Sequence, residues 1–357
     1  MFMKKIAIIG AGPSGVFCAH KILELLKDKK QHAKITLFDK NNPLSTVLVT
    51  GNGRCNLAYN EYDYKELASN YPRGEKFLYS ILKRYGLPET LEDFDKLGVE
   101  TYVQEDNRIF PKSNKASDVK SALFNKIKNS VKFEVKEINE PILGYDATVL
   151  AIGLNYGADL AKKYGHNIIP LKSSLTGLKI KEKEFCELKG VSFNDLMFTD
   201  VGITGPYVYK LSSINAYKEL PYEIEIPIIN KEDLIKAMKE NPKKLFKNVV
   251  ADFIPKSLAN LLIKSENQCA NTTNKEIDSI INLKLTITGP DGRGEIVHAG
   301  GVDLNEIDKN LKSKIVENLW VIGEVLDIDG FTGGFNLQNC WSTASVAALD
   351  IVEKLYP

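Results

Sequence analysis

The chain has 357 residues, 43% of them hydrophobic, and its 47 basic and 46 acidic side chains nearly cancel. That length suits two or three domains with a substantial core, and the charge balance argues against nucleic-acid or anionic-membrane partners. No apolar run approaches the ~18 residues of a membrane span, and five cysteines without a CxxC pair leave neither a disulfide framework nor a zinc site in view, so a cytoplasmic protein with reduced thiols and no metal is expected.

In chain order, Lys4 and Lys5 precede a short apolar run that glycines interrupt, with no cleavage site after it; it reads as a buried strand over 5–9, not a signal peptide. A helix is expected from about Pro13 to Leu26 and a second parallel strand over 34–40, together a βαβ unit. Residues 44–56, "LSTVLVTGNGRCN", read as an apolar strand breaking into a turn. Residues 61–97 look helical with interruptions at Pro72 and Pro88, 98–111 alternate like a hairpin turning near Asp106-Asn107, and a helix capped by Ser113 or Ser117 precedes the strand "VKFEVKEI". "YDATVLAIG" (145–153) is an apolar strand ending in glycine.

The middle changes character. Short alternating segments over 174–229, "EFCELKG" among them, predict an antiparallel sheet, and 231–284 reads as helical, with Asn230 and Asn241 as N-caps and Pro242 at a first helical position. Gly289-Pro-Asp-Gly292-Arg-Gly294 lacks the strand and helix of a dinucleotide turn and reads as a loop. The tail returns to the opening style, with "LWVIGEV" as a buried strand and a long helix after a glycine-rich entry. The expected architecture is α/β: a discontinuous Rossmann-type domain over 1–165 and 296–357, a β-rich inserted domain over 166–230 and 285–295, and a helical subdomain over 231–284.

Gly10-Ala-Gly12-Pro13-Ser14-Gly15 is a full GxGxxG after a strand and before a helix. Gly10 permits the tight turn, Gly12 lets a pyrophosphate reach the backbone, and Gly15 lets helix and strand pack closely; the helix N-terminus then offers free N–H groups. Asp39 ends the second strand, about twenty residues on, where a carboxylate accepts from a ribose 2′-hydroxyl. A flavin is favoured over a nicotinamide as the resident dinucleotide, because there is one Rossmann turn and a second glycine-rich strand-to-helix junction at the far end. There Glu324 suits ribityl hydroxyls, and the N–H groups of Gly334, Phe335 and Asn336 suit the ring edge that carries negative charge when reduced.

These residues, with "TGNGRCN" (50–56), "RIFPKSNKASDV" (108–119), "GITGP" (202–206) and "HAGGVDLNEID…LWVIGEVLDIDGFTGGFNLQ" (298–338), resemble the BaiN-like (YhiN-like) bacterial flavoproteins, described as NAD(P)/FAD-dependent or aminoacetone-oxidase-like enzymes. The resemblance implies a Rossmann-type FAD domain interrupted by a β-rich domain that carries a helical insertion. It implies that Gly10, Gly12, Pro13, Ser14, Gly15, Asp39 and Lys40 hold the ADP half. Thr50, Gly51, Gly53, Arg54, Cys55 and Asn56 would run beside the ring, with Ala151 and Gly153 at the strand end. Gly323, Glu324, Gly333, Gly334, Phe335, Asn336, Leu337 and Gln338 would grip the ribityl–flavin half. The chain departs from the family at Leu44 and Thr46, where Gly and Lys are usual, at Ile152 and Leu154 in the "ATGG" strand end, and at Phe335 in place of Tyr.

Arg54 suits a phosphate, an acidic substrate or a loop-bracing salt bridge; Cys55 is a redox thiol or a small packed residue; His298 is an acid–base group or a structural one. No residue is assigned to catalysis. The leading expectation is an FAD-dependent oxidoreductase of a small organic substrate, its flavin reduced by diffusible NAD(P)H or by the substrate itself. A non-catalytic regulatory flavoprotein and an RNA-modifying flavoprotein remain as alternatives, the latter opposed by the near-zero net charge.

Overall fold

The computed structural model describes residues 3–293 and 297–357. They form two compact units, one running up to Leu171 and resuming over His298–Pro357, the other lying between Lys172 and Val297.

The first unit is built on a parallel sheet of five strands: β1 (Lys4–Ile9), β2 (Ala33–Asp39), β3 (Val131–Val135), β4 (Ala147–Leu150) and β5 (Leu319–Val321). Their order is β3-β2-β1-β4-β5, every neighbouring pair parallel, with Ile6 opposite both Ile35 and Ala147. Ile6, Ile8, Leu37 and Val149 are wholly buried, as strands covered on both faces require. Each such side chain contributes about 1.5–3 kcal/mol by leaving water. The order reverses between β1 and β4, the switch point outside which ligands of such sheets bind.

Two helices cover the sheet centre. Helix α1 (Pro13–Asp28) has proline in its first turn and buries Val16, Phe17, Ala19 and Ile22; helix α2 (Phe335–Leu355) is buried along most of its length. They meet where the rings of Phe17 and Trp341 lie 5.1 Å apart, with Phe94 against both. A small antiparallel sheet (Ala58–Tyr59, Arg108–Pro111, Thr101–Val103) and helices Tyr64–Ser69, Glu75–Leu82, Leu87–Lys96, Ala116–Ile127 and Leu154–Lys163 complete this unit apart from short segments.

The second unit holds a six-stranded sheet in the order Ser192–Phe193, Leu196–Phe198, Gly202–Thr204, Leu178–Ile180, Asn282–Pro290, Tyr222–Pro227, with antiparallel neighbours throughout. Helices such as Lys231–Glu240 and Phe246–Val250 share one apolar core with it, Leu234 and Phe246 clustering with Ile224 and Leu285.

Several local expectations fail for identifiable reasons. Residues 44–56 hold no strand; Thr46–Gly53 is 3-10 backbone interrupted at Thr50, Gly51 and Asn52. The buried Leu44 and Val47 stand three apart, a helical spacing, and Val49 is 77% exposed. "EFCELKG" is also a 3-10 turn, Lys183–Leu188, because the buried Phe185 and Leu188 stand three apart, a helical spacing. Neither Ser113 nor Ser117 caps helix Ala116–Ile127, whose N-cap is Lys115 without a side-chain bond. Asn230 does cap its helix, accepting from the Glu232 and Asp233 N–H groups, but Asn241 closes that helix and does not open the next. The helical stretch stops at Ile280, since Asn282 already pairs in the sheet. Helix Pro206–Ile214 was not expected at all. Of the 289–294 loop, Gly294 lies outside the described residues.

Candidate cofactor-binding crevice

The three glycines of the first turn differ in what surrounds them. A Cβ on Gly10, whose φ is +110°, would lie 2.4 Å from the Ala151 carbonyl oxygen, and one on Gly15 would lie 1.9 Å from the Gly10 oxygen. A Cβ on Gly12 would meet nothing within 4 Å. Gly10 and Gly15 are therefore required by packing, and Gly12 borders open space at the switch point. Helix α1 starts there with no side-chain cap, so its first N–H groups remain available. Asp39 braces the turn, accepting from the Ala11 N–H (2.7 Å) and the Asn41 N–H (2.8 Å). Lys40 points outward to Glu137 (3.1 Å) and lies over the Tyr156 ring.

The far end of the chain closes on the same place. A Cβ on Gly323, which has a φ of +74°, would lie 2.4 Å from Ser14 Oγ, and the Gly323 N–H donates to Thr343 Oγ1 (3.0 Å) on α2. Glu324 Oε2 is 3.5 Å from where a Gly153 Cβ would stand. Gly10, Ser14, Ala151, Gly153, Gly323 and Glu324 thus meet at the carboxyl ends of β1, β4 and β5. Among the described residues no hydrogen-bond donor reaches the Glu324 carboxylate, and burial holds it above its ordinary pKa, opposed by His298 and reinforced by Asp329. A carboxyl raised by burial favours the folded state when protonated, so stability falls as pH rises through the raised value. Glu324→Gln removes that term. In thermal melts the ligand-free variant is expected to match the parent near pH 4 and to melt higher at pH 7.5.

The glycine-rich entry to α2 is held by its neighbours. Asn336 clamps the Gly330 backbone in both directions, accepting from its N–H (2.8 Å) and donating to its oxygen (2.9 Å). Phe335 is buried, its ring 4.8 Å from Tyr59, and its carbonyl accepts from the Tyr71 hydroxyl (2.6 Å). Gly333 and Gly334 have φ of +135° and +101°, and a Cβ on Gly334 would strike the Ala58 backbone at 2.5 Å. Gly334 caps α2 without a side-chain bond, leaving the N–H groups of Phe335, Asn336 and Leu337 uncapped. Gln338 turns inward to Thr90 (2.8 Å) and Ser342 (3.0 Å), away from the loop. Buried Asp329 forms a bidentate ion pair with Arg73, and Asp327 Oδ1 is buried without a partner.

The Thr50–Asn56 loop is tied to the same region through Leu57, whose carbonyl accepts from Trp341 Nε1 (3.0 Å). Gly51, Asn52, Gly53 and Cys55 all have left-handed φ, from 55° to 81°. Asn56 Oδ1 is buried and unpartnered. Leu44 also has a left-handed φ of 57°, which gives a physical reason for the glycine usual there, while Thr46 is exposed. Burial pushes the Cys55 thiol up to about 12. Cys18, Cys55, Cys269 and Cys340 are buried and Cys186 is half-buried, all of them free. A thiol reagent at pH 8 is therefore expected to react rapidly at Cys186 alone and with the other four on unfolding.

Sequence reasoning did not anticipate the bond from Tyr71 to Phe335 or the pair of Arg73 with Asp329, because the partners lie far apart in the chain. It also saw no Ser-His-acid order. The structure does align Ser313 Oγ, His166 Nε2 (3.1 Å) and Glu306, which lies 2.8 Å from His166 Nδ1. Ser313 is buried, and its oxygen already accepts from the Ile315 and Val316 N–H groups, so the row pins a turn and presents no nucleophile. Among the described residues no helix is long and apolar enough to cross a membrane, and no cluster of three or more His, Cys, Asp or Glu side chains could hold a metal ion.

A parallel sheet in this order, with a glycine turn and an uncapped helix at its switch point, defines a Rossmann-type α/β protein. A family model described as "HI0933-like protein Rossmann domain" matches residues 4–154 and 147–350, and the chain belongs to that family. This bears out the BaiN-like resemblance. The chain is 28% identical to the 3-dehydro-bile acid delta(4,6)-reductase of Clostridium scindens, over 99% of this chain and 100% of that one. It is 26% identical to the ribosomal RNA dihydrouridine synthase of Haemophilus influenzae, over 96% of this chain and 97% of that one. It is 24% identical to the protein of the same name from Escherichia coli, over 97% of each.

Proposed function

We propose that the protein is an FAD-dependent oxidoreductase that reduces an electron-poor carbon–carbon double bond in a small organic molecule, with NAD(P)H as the diffusible donor. The observation that carries the reading is the convergence of the first and last glycine junctions on one crevice, with open space at Gly12 and an unpartnered carboxylate at Glu324. These fit a long dinucleotide: a diphosphate needs bare N–H groups and room beside the backbone, and a polyol chain needs an acceptor.

Gly12 and the N–H groups of Ser14 and Gly15 would hold the diphosphate, Asp39 the adenosine ribose, and Glu324 the ribityl hydroxyls. The uncapped start of α2 would meet the electron-rich edge of the ring, and the Thr50–Asn56 loop would line its side. Bound FAD supplies hydride exchange. The chain's own part is to orient and to exclude water: Tyr71 and Asn336 fix the Gly330–Phe335 backbone, and Cys55 keeps its proton, which removes it as a thiolate nucleophile. The names of the relatives support the reaction class, since a delta(4,6)-reductase and a dihydrouridine synthase both saturate a double bond conjugated to a carbonyl.

Stopped-flow mixing with NADH and NADPH, followed by a conjugated enone, tests this. Bleaching of the flavin bands by one nucleotide and their return with the enone is expected; a normal flavin spectrum that neither donor bleaches would favour a non-catalytic flavoprotein. A second reading, reduction of a uracil ring in ribosomal RNA, is favoured by the names of two relatives and opposed by the formal net charge of +1. Filter binding to ribosomal RNA across a salt series separates the two; retention that falls steeply with salt would support RNA.

A further inference from the structure

We infer that Arg54 is a recognition residue for an anionic group, a carboxylate or a phosphate monoester, on the substrate. The inference rests on the reading that the Thr50–Asn56 loop lines the flavin ring. Two arginines flank the Phe110 ring, with guanidinium carbons 4.2 Å (Arg54) and 5.6 Å (Arg108) from its centroid. Arg108 is neutralised by Asp106 at 2.6 Å. Arg54 has no carboxylate within ion-pair distance among the described residues. Its Nε meets the Gly51 carbonyl and its Nη1 meets Gln104 Oε1, each at 3.4 Å, both long and both to neutral acceptors.

A guanidinium carries five N–H donors and stays charged throughout the accessible pH range, so a half-buried one with two weak neutral bonds is under-satisfied. The Phe110 ring lies against the guanidinium carbon, and three of the five N–H groups have no partner among the described residues and are left for the oxygens of an anion. The loop that carries it is held in unusual backbone conformations at Asn52 and Cys55, which preserves the position of the side chain between them. Two positions beyond Arg54, the Asn56 side chain has an oxygen that is buried and unpartnered. Arg54 therefore asks for a ligand that brings it negative charge. A salt bridge that merely braces the loop, the other role this arginine suits, has no acid among the described residues to form it.

The test uses the FAD-loaded protein. Sodium acetate and inorganic phosphate are titrated separately at constant ionic strength in chloride while the flavin difference spectrum is recorded, for the parent, Arg54→Gln and Arg54→Lys. The expected result is a saturable perturbation by one of the two anions, weakened about tenfold or more in Arg54→Gln and partly restored in Arg54→Lys, with FAD content equal in all three. Acetate responding identifies a carboxylate, phosphate responding a phosphoryl group. No perturbation of the parent beyond chloride, or an unchanged response in Arg54→Gln, overturns the inference. Loss of FAD from Arg54→Gln also overturns it, by assigning the guanidinium to the cofactor's own phosphates. A parent that holds no FAD would instead overturn the cofactor reading beneath it.

Discussion

Gly12→Val is expected to fold like the parent, with a melting temperature within a few degrees, and to lose FAD affinity by about a hundredfold or more, ~2.7 kcal/mol. Gly12 has φ −74° and ψ −170°, a backbone that any residue adopts, and no heavy atom stands within 4 Å of the added Cβ. The fold therefore does not need this glycine. The space it leaves open is the space assigned to the diphosphate, and a branched side chain would fill it and cover the first N–H groups of α1. Gly10→Val and Gly15→Val are the contrasting controls. Their added carbons would lie 2.4 Å and 1.9 Å from backbone oxygens, which no side-chain shift relieves, so both should lower stability outright. Thermal melts and FAD titrations of the three variants check the contrast; a Gly12→Val protein with parental FAD affinity would remove the diphosphate from this turn.

Arg73→Ala is expected to destabilise the protein by about 3–5 kcal/mol, the range found when one partner of a buried ion pair is removed. Asp329 is 1% exposed and would lose its guanidinium, and neighbouring Asp327, already raised by burial, would lose the cation that opposes the rise. The sign of the pH dependence follows. A carboxyl whose folded pKa rises further above its unfolded value binds a proton in the folded state first, so stability drops as pH climbs through the folded value. Denaturant midpoints should therefore show a smaller loss near pH 5 than at pH 8. The double variant Arg73→Ala/Asp329→Asn should recover part of the loss, because it no longer buries an unpaired charge.

The parts of this molecule that were legible in the sequence are those whose physics is local. A strand, a glycine turn, a helix and a second strand lie within the first forty residues, and the turn's three glycines have distinct backbone surroundings that their spacing implies. The tail was legible for the same reason, as a strand, a glycine entry and an apolar helix. The 44–56 loop was misread because apolar residues in a row suggest a strand, whereas the two of that row that are buried, Leu44 and Val47, stand three apart, a helical spacing. Helix Pro206–Ile214 hid behind "GITGP", which reads as a turn when the helix-start role of Pro206 is overlooked. The pair Arg73–Asp329 and the bond from Tyr71 to Phe335 were illegible because each spans more than two hundred residues. No periodicity encodes such a pairing, yet these contacts are what hold the second glycine entry in place.

The two termini of the first unit are expected to build a single seat for FAD. Calorimetric titration of the ligand-free protein with FAD, and separately with FMN, tests this most directly. One FAD per chain is expected, bound about a hundredfold or more tighter than FMN because the adenylate half adds the contacts at Gly12 and Asp39. A protein that takes up neither flavin, or that binds FMN as tightly as FAD, would contradict it.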